Sequence, residues 1–455
     1  FLETQNLRTL HFYSVNTGCL AKIHLKLFRN LWKKRSRYHC KIIGALKFIG
    51  IGTWFSLTWT TFHKSFQVNI LRQTLFYRRC GHCINLSVTM FFNECHLHRP
   101  GRVFSTFCIS MFLMCSLSHA HRVDQYVFSV EFVQEINSLA QTWEAGHNFP
   151  ISMTYEELGF LLDLSEPPAN RSIYRSNHSE SEASPSDDSF TVTDIPQSFD
   201  ARVHWAHCPD IGKVYDQGAC PSSYAFAVAP AFSDRRCIQS NGQQSEPMSI
   251  DYLLSCCHSC KFNDTTRECG AGQAITAWWF LHKRGVVSGG EYGSSKGCQP
   301  LSFPPCHRVF SSEGASCTDQ KKPQLHCHTR CTNVDYDIPY SQDRHRAMIQ
   351  YFVATKEDSI KLEILNHGPV TAQITTYEDF LHYKSGVYKH TTGERFPHQH
   401  TLKLIGWGVE NDTPYWLLIN SWGKSWGDEG TFKILRGAAE CNLEYYVTAA
   451  LPKRY

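Results

Sequence analysis

An α+β fold is expected for this chain, and two stretches of local pattern agree with it. Between Ser223 and Ser240 apolar residues recur at helical spacing, at Phe226, Ala229, Phe232 and Ile238. Leu402 to Ile405 reads as a strand, downstream of that helix. With 455 residues the chain has ample length for a buried core, and thirteen of its cysteines lie beyond residue 200. The net charge of +4 singles out no class of partner, although charge is unevenly placed: only Glu3 and Glu94 are acidic in the first 102 residues. The basic run Lys33-Lys34-Arg35-Ser36-Arg37 would suit a nucleic-acid arm, but an upstream or targeting origin accounts for it more simply. No nucleic-acid partner is expected.

The elements follow in chain order. The first methionine is Met90, and after it come Arg99, Arg102, the apolar run Val103 to Leu117, and Ser118-His119-Ala120. A basic segment, about 15 apolar residues and small residues at −3 and −1 make a secretory signal peptide over 90–120, cleaved after Ala120. Residues 1–89 are then upstream sequence foreign to the working protein. The apolar run is shorter than the roughly 20 residues a membrane span needs, and the stretch Ile42 to Trp59 is broken by Lys47. No stable membrane span is expected. Cys80-Gly81-His82-Cys83 has zinc-knuckle spacing but no second pair follows at metal-site spacing, and His398-Gln399-His400 alone makes no site. No metal or other cofactor is expected. Entry into an oxidising compartment favours disulfides among the later cysteines, whose pairing the sequence leaves open.

Phe132 to Leu139 has helix-like apolar spacing, within a candidate propeptide over 121–164. A linker over 165–194, rich in Ser, Asp and Pro, has too little apolar content to fold and should be open to proteases. N-glycosylation sequons begin at Asn170, Asn177, Asn263 and Asn411.

The segment Asp216-Gln217-Gly218-Ala219-Cys220-Pro221-Ser222-Ser223-Tyr224-Ala225-Phe226 resembles the active-site segment of papain-family cysteine proteases, with Ser223 at the position of the nucleophilic cysteine. Further matching stretches are Ser233-Asp234-Arg235, Gly285 to Gly290, Pro304-Pro305-Cys306, Tyr383 to Tyr388, Leu404 to Asn411 and Asn420 to Gly427. Val203 to Pro452 is similar to a mature cathepsin B-like domain almost end to end, and the domain is placed at 195–455. The resemblance implies a two-lobed papain-like fold: a helical left lobe built on the Ser223 helix, an antiparallel β right lobe, and a cleft between them. It implies six disulfides, Cys208–Cys237, Cys220–Cys269, Cys256–Cys327, Cys257–Cys260, Cys298–Cys331 and Cys306–Cys317, and leaves Cys441 single. Trp143 to Phe149 looks like the short motif of cathepsin B propeptides, which run through the cleft in reverse and block it.

Papain-type chemistry needs a nucleophile at a helix N-terminus, where the positive end of the dipole stabilises an anion. Ser223 occupies that place. By resemblance His400 is its imidazole partner, Asn420 orients the ring, and Gln217 faces the developing oxyanion. Each has a plainer reading alone: Ser223 as a helix N-cap, His400 as a structural histidine. Joint occurrence in family order locates the site.

Oxygen for sulfur changes the chemistry. A thiol titrates near 8.5 and can be held as thiolate, whereas a hydroxyl is several units less acidic. Losing the nucleophile in comparable sites costs on the order of 10⁶-fold. Neighbouring departures accompany it. Pro221 and Tyr224 replace the family's Gly and Trp, and Pro230 sits inside the helix, where proline costs about 3 kcal/mol. The cleft-wall Asn-Gly-Gly becomes Gly270-Ala271-Gly272. Ala271, Gly272, Trp422 and Tyr446 are the implied substrate-side residues, Tyr446 standing where cathepsin B has an acid deep in its second subsite. The occluding-loop cysteine frame is kept, but Arg308 and Val309 replace the two carboxylate-gripping histidines, His307 lying one place early; Arg308 retains some attraction for a carboxylate.

A secreted or lysosomal, catalytically silent cathepsin B-like homologue is therefore expected, monomeric, with peptides or proteins as ligands. It would hold protease inhibitors of the cystatin type, or attach to matrix proteins as the similar tubulointerstitial nephritis antigen family does. The rival expectation is a working cathepsin B-like peptidase, with Ser223 active or a misread cysteine.

Overall fold

A computed structural model describes residues 127–162, 190–262, 269–306, 317 and 323–453, with four strands upstream of residue 93. Lys33 to Arg37, Ile42 to Trp59, Cys80, Gly81, the run Val103 to Ala120, most of the linker, Asn170, Asn177, Asn263, His307, Arg308 and Val309 lie outside the described residues. The chain divides into two compact units, Phe1–Cys115 and Ser116–Tyr455. In the first, β1 (Arg8–Tyr13) pairs antiparallel with β2 (Leu20–Leu25), and β3 (Asn69–Arg79) with β4 (His82–Phe92).

In the second unit, helix α1 (Val130–Leu139) forms where the apolar spacing predicts it. Ser129 caps it, its Oγ accepting from Phe132 N at 3.1 Å, and Phe132, Val133 and Ile136 form its buried face. Asn137 then exchanges two hydrogen bonds with the backbone of Ala145, at 2.9 and 2.8 Å, and turns the chain into β5 (Trp143–Ala145). The remaining strands are β6 (Phe199–Asp200), β7 (Ala347–Phe352), β8 (Val370–Tyr377), β9 (Tyr383–Tyr388), β10 (Arg395–Glu410), β11 (Thr413–Ile419), β12 (Thr431–Leu435) and β13 (Val447–Pro452). They form a nine-stranded sheet in the order β5-β9-β12-β11-β10-β8-β13-β7, with β6 added on β10. The pairings are antiparallel except that of β12 with β9.

Helices α2 (Ser223–Gln239), α3 (Ile250–Cys256) and α4 (Ala274–Lys283) build a second apolar cluster beside the sheet, through Phe232, Leu253, Trp278 and Leu281. Pro230 lies inside α2, which runs on through it, so Phe226 O has no N–H to accept from at that position. Helix α5 (Glu357–His367) packs against β10. Two buried ion pairs fasten α2 across to the sheet side. Lys403 Nζ lies 2.8 Å from Asp234 Oδ2, and Arg235 Nη2 lies 2.7 Å from Glu363 Oε1. All six disulfides implied by the resemblance are bonded, and Cys441 is a buried free thiol.

Residues 127–162 are part of the main core. Phe128, Phe132, Ile136, Trp143, Phe149 and Leu161 are buried in the same apolar cluster as the sheet. Trp143 Nε1 donates to Lys389 O and Thr391 Oγ1, and Asn148 Nδ2 donates to Leu381 O and Tyr383 O. The register sets Trp143 opposite Gly386, whose φ is +81°. A Cβ at Gly386 would stand 2.5 Å from Thr142 O and 2.8 Å from Trp143 Cα. Gly386→Ala is therefore expected to push β5 off its partner, beyond the roughly 1–2 kcal/mol of left-handed strain. Val387 N, which donates to Thr142 O at 2.7 Å, should lose at least about tenfold in hydrogen-exchange protection while β8 and β10 keep theirs.

Candidate active site

Three elements bring the site together. Ser223 is the first residue of α2, His400 lies in the middle of β10, and Asn420 follows the last residue of β11. The N-cap of α2 is Ser222, whose side chain makes no capping bond, so the plainer reading of Ser223 as the cap is set aside by one residue. Ser222 is tied back instead: its Oγ bonds to Cys220 O at 3.3 Å.

Asn420 Oδ1 lies 2.8 Å from His400 Nε2 and also accepts from Ser421 N at 2.7 Å. An oxygen already accepting a backbone N–H can only accept again, so His400 Nε2 carries the hydrogen and the neutral ring presents Nδ1 as its base. Trp422 covers the imidazole, with ring centroids 4.7 Å apart. Burial pushes the His400 pKa down to about 4, against the lift from Asn420. His400 is thus neutral at physiological pH, and among the described residues no anion stands beside it to hold a charge. Two donors here have no partner among the described residues, Asn420 Nδ2 and Trp422 Nε1, a sign of imperfect satisfaction around the ring.

Ser223 Oγ accepts a hydrogen bond from Thr401 N at 3.1 Å. Among the described residues no hydrogen bond joins it to His400. The backbone of the residue after the histidine thus holds the hydroxyl, a partner that no sequence motif signals.

Gln217 is fully buried, and its amide is saturated. Its Nε2 faces Phe160 O at 3.1 Å, Leu161 O at 3.0 Å and Cys220 O at 2.9 Å, while Oε1 accepts from Ser421 Oγ at 2.7 Å. Residues 160 and 161 thus set their carbonyls on the donor that the resemblance reserves for an oxyanion.

On the facing wall, Gly272 bridges to Lys261, and Ala271 O accepts from Phe262 N. A Cβ at Gly272 would stand 2.4 Å from Cys260 O and 2.7 Å from Tyr224 Cε1, so the tyrosine ring lies directly beneath this wall. Tyr224 is buried, its hydroxyl without a partner among the described residues, and burial pushes its pKa far up. Tyr446 is half-buried at the turn into β13, its carbonyl accepting from Gln373 N at 3.2 Å. Asn411 is exposed at the β10–β11 turn. Among the described residues no group of three or more His, Cys, Asp or Glu is placed to hold a metal ion, and no helix is long and apolar enough to cross a membrane.

Residues 195–451 match the papain family of cysteine proteases. The chain is 43% identical over 260 residues to cathepsin B-like cysteine proteinase 4 of Caenorhabditis elegans, covering 57% of this chain and 76% of that protein. It is 37% identical over 341 residues to cathepsin B-like cysteine proteinase 5 of the same organism, covering 73% and 92% respectively. Among solved structures it is similar to procathepsin B S9 from Trypanosoma congolense, with a TM-score of 0.56 and 31% identity over 72% of this chain and 99% of that one.

Proposed function

Because this chain belongs to the papain family of cysteine proteases, as a cathepsin B-like member, we propose that it is a silent homologue whose cleft holds peptides or proteins without cutting them. The observation that carries this reading is the state of Ser223: its hydroxyl is bound by Thr401 N and makes no bond to His400. A hydroxyl at the head of α2 stays protonated at neutral pH, so the helix dipole and a neutral imidazole have no anion to stabilise. Serine at this position is also the feature shared with the tubulointerstitial nephritis antigen family. The ligands proposed are peptide segments, cystatin-type inhibitors or matrix proteins, met in a secretory or lysosomal compartment after a signal peptide at 90–120 is removed.

One observation favours the enzymatic reading instead: the His400–Asn420 pair is intact, with Nδ1 free to act as a base. A fluorogenic dipeptide assay on protein trimmed of residues before 190 separates the two. No turnover and no labelling by a thiol-directed epoxide, with a cystatin-type inhibitor still bound, is the expected result. Turnover abolished by that epoxide would mean a cysteine at 223, and turnover lost only in Ser223→Ala would mean a working serine.

A further inference from the structure

Strand β7 closes one end of the nine-stranded sheet and pairs on one side only, with β13. Val353 N donates to Val447 O at 3.0 Å, and Tyr351 and Ile349 stand opposite Ala449 and Leu451 in the same register. Bonded pairs alternate along an antiparallel ladder, so Tyr351 and Ile349 turn their backbone groups to β13. Gln350 and Phe352 therefore turn their N–H and C=O groups outwards, and among the described residues no hydrogen bond meets them. Nothing within the strand guards this edge, since Ala347 to Phe352 holds no charge and no proline. Tyr351 and Val353 lie in the main core, while Gln350 shares the opposite face with Ala450, which belongs to the cluster of α4.

Cations crowd the start of the same strand. Val286 and His345 exchange backbone hydrogen bonds, each at 2.9 Å, and Lys453 N donates to Arg346 O at 3.0 Å. The segments so joined bring Lys283, Arg284, Arg346 and Lys453 into one neighbourhood, all exposed. A Cβ at Gly285 would stand 2.9 Å from Arg346 Cγ, so that side chain runs over the glycine that follows Arg284. Among the described residues none of these cations belongs to an ion pair. Asp343 does not offset them, being buried and taken up by Ser288, Tyr336 and His345. Two exposed apolar side chains stand nearby, Met348 of β7 and Trp279, one turn before Lys283 on α4. His282 of that turn donates from Nδ1 to Ala347 O at 3.2 Å, which ties the helix end to the strand.

We propose that the β7 edge is a docking site for an extended peptide that ends in acidic residues. Added antiparallel, such a peptide meets both backbone groups of Gln350 and of Phe352. Its C-terminal end then lies at the start of β7, against the cations. Met348 and Trp279 offer its apolar side chains a surface to cover. A second copy of this chain fits less well. Paired about Gln350, it would set Arg344 opposite Lys356, cation against cation. An acidic tail instead answers the positive charge that a copy would double. In the sheet β7 is separated from β10 by β8 and β13, roughly 14 Å at the usual strand spacing. The dock is thus separate from the cleft at His400, and it holds whether or not Ser223 cuts peptides.

Fluorescence anisotropy on the full chain tests this with a labelled peptide of alternating valine and threonine that ends in four glutamates. Binding should saturate, and should weaken severalfold as ionic strength rises from about 0.05 to 0.5 M. Arg284→Glu combined with Arg346→Glu should loosen it by about tenfold or more. N-methylation of the valine and threonine nitrogens removes every strand donor of the peptide and should loosen it by about as much. Hydrogen exchange locates the contact: the Gln350 and Phe352 amides should gain at least about tenfold protection, and those of β10 none. No binding, unchanged binding in the doubly substituted protein, or protection at β10 in place of β7 would overturn the proposal. Equal binding of the N-methylated peptide, or of a plain glutamate oligomer, would mean a contact of charge alone and overturn it equally.

Discussion

Ser223→Cys, in protein trimmed of residues before 190, is expected to raise peptide-amide hydrolysis by on the order of 10³-fold or more over the serine form. The scaffold for a thiolate is otherwise in place. Position 223 heads a helix of 17 residues, and a thiol there begins near 8.5 before the helix end lowers it further. Sulfur is a weak acceptor, so the hydrogen bond from Thr401 N that holds the hydroxyl would hold a thiol less firmly. His400 presents Nδ1, and Asn420 fixes the ring. With a thiolate beside it the imidazole gains the counter-charge it now lacks, and its pKa should climb from about 4. The gain should therefore appear as a pH–rate profile with a new acidic limb, together with stoichiometric labelling by a thiol-directed epoxide. If labelling occurs without turnover, the nucleophile is repaired and Pro221, Tyr224 or Ala271 still bars the substrate.

Glu363→Ala is expected to be among the most destabilising single changes in the domain. Its carboxylate accepts from Arg235 Nη2 and from Tyr351 Oη, each at 2.7 Å. Arg235 is otherwise enclosed by carbonyls, with Pro369 O at 2.7 Å, Gly368 O at 3.1 Å and Ala450 O at 3.2 Å. Removing the carboxylate leaves a buried guanidinium without its counter-ion, which costs about 3–5 kcal/mol. Against a total stability of about 5–15 kcal/mol that is a large share. Urea denaturation should show the fall in midpoint, and Glu363→Gln, which keeps one acceptor, should fall less. The pair lies remote from Ser223 in the chain but fixes the far end of the same helix, so the loss should also blur the register of α2 against β10.

Local pattern carried part of this structure and distant pairing the rest. The apolar spacing after Ser223 and after Phe132 is legible as helix because the period lies within each segment. The disulfide pairs, the two-lobed fold and the positions of His400, Asn420 and Gln217 came from resemblance, since no local rule pairs cysteines or joins residue 223 to residue 400. Trp143 to Ala145 is too short to read as a strand, and becomes one through pairing with β9. The bond from Thr401 N to Ser223 Oγ belongs to the backbone and leaves no trace in residue type. The same holds for the carbonyls of residues 160 and 161 on Gln217. His382 and His400 are two histidines among 24, and only the fold reveals that they are enclosed.

The edge place of β5 has a cost for whatever form of the protein lacks it. Val387 N and Val387 O now meet Thr142, and His382 O meets Gly146. Stripped of residues 127–162, Tyr383–Tyr388 becomes a bare rim, its outward peptide groups unmatched and bordered by newly wetted aromatic rings. Such a rim is a template for any extended chain, a second copy of the same molecule included. Trimmed material should accordingly begin to self-associate as its concentration rises, at levels where the untrimmed chain stays dispersed.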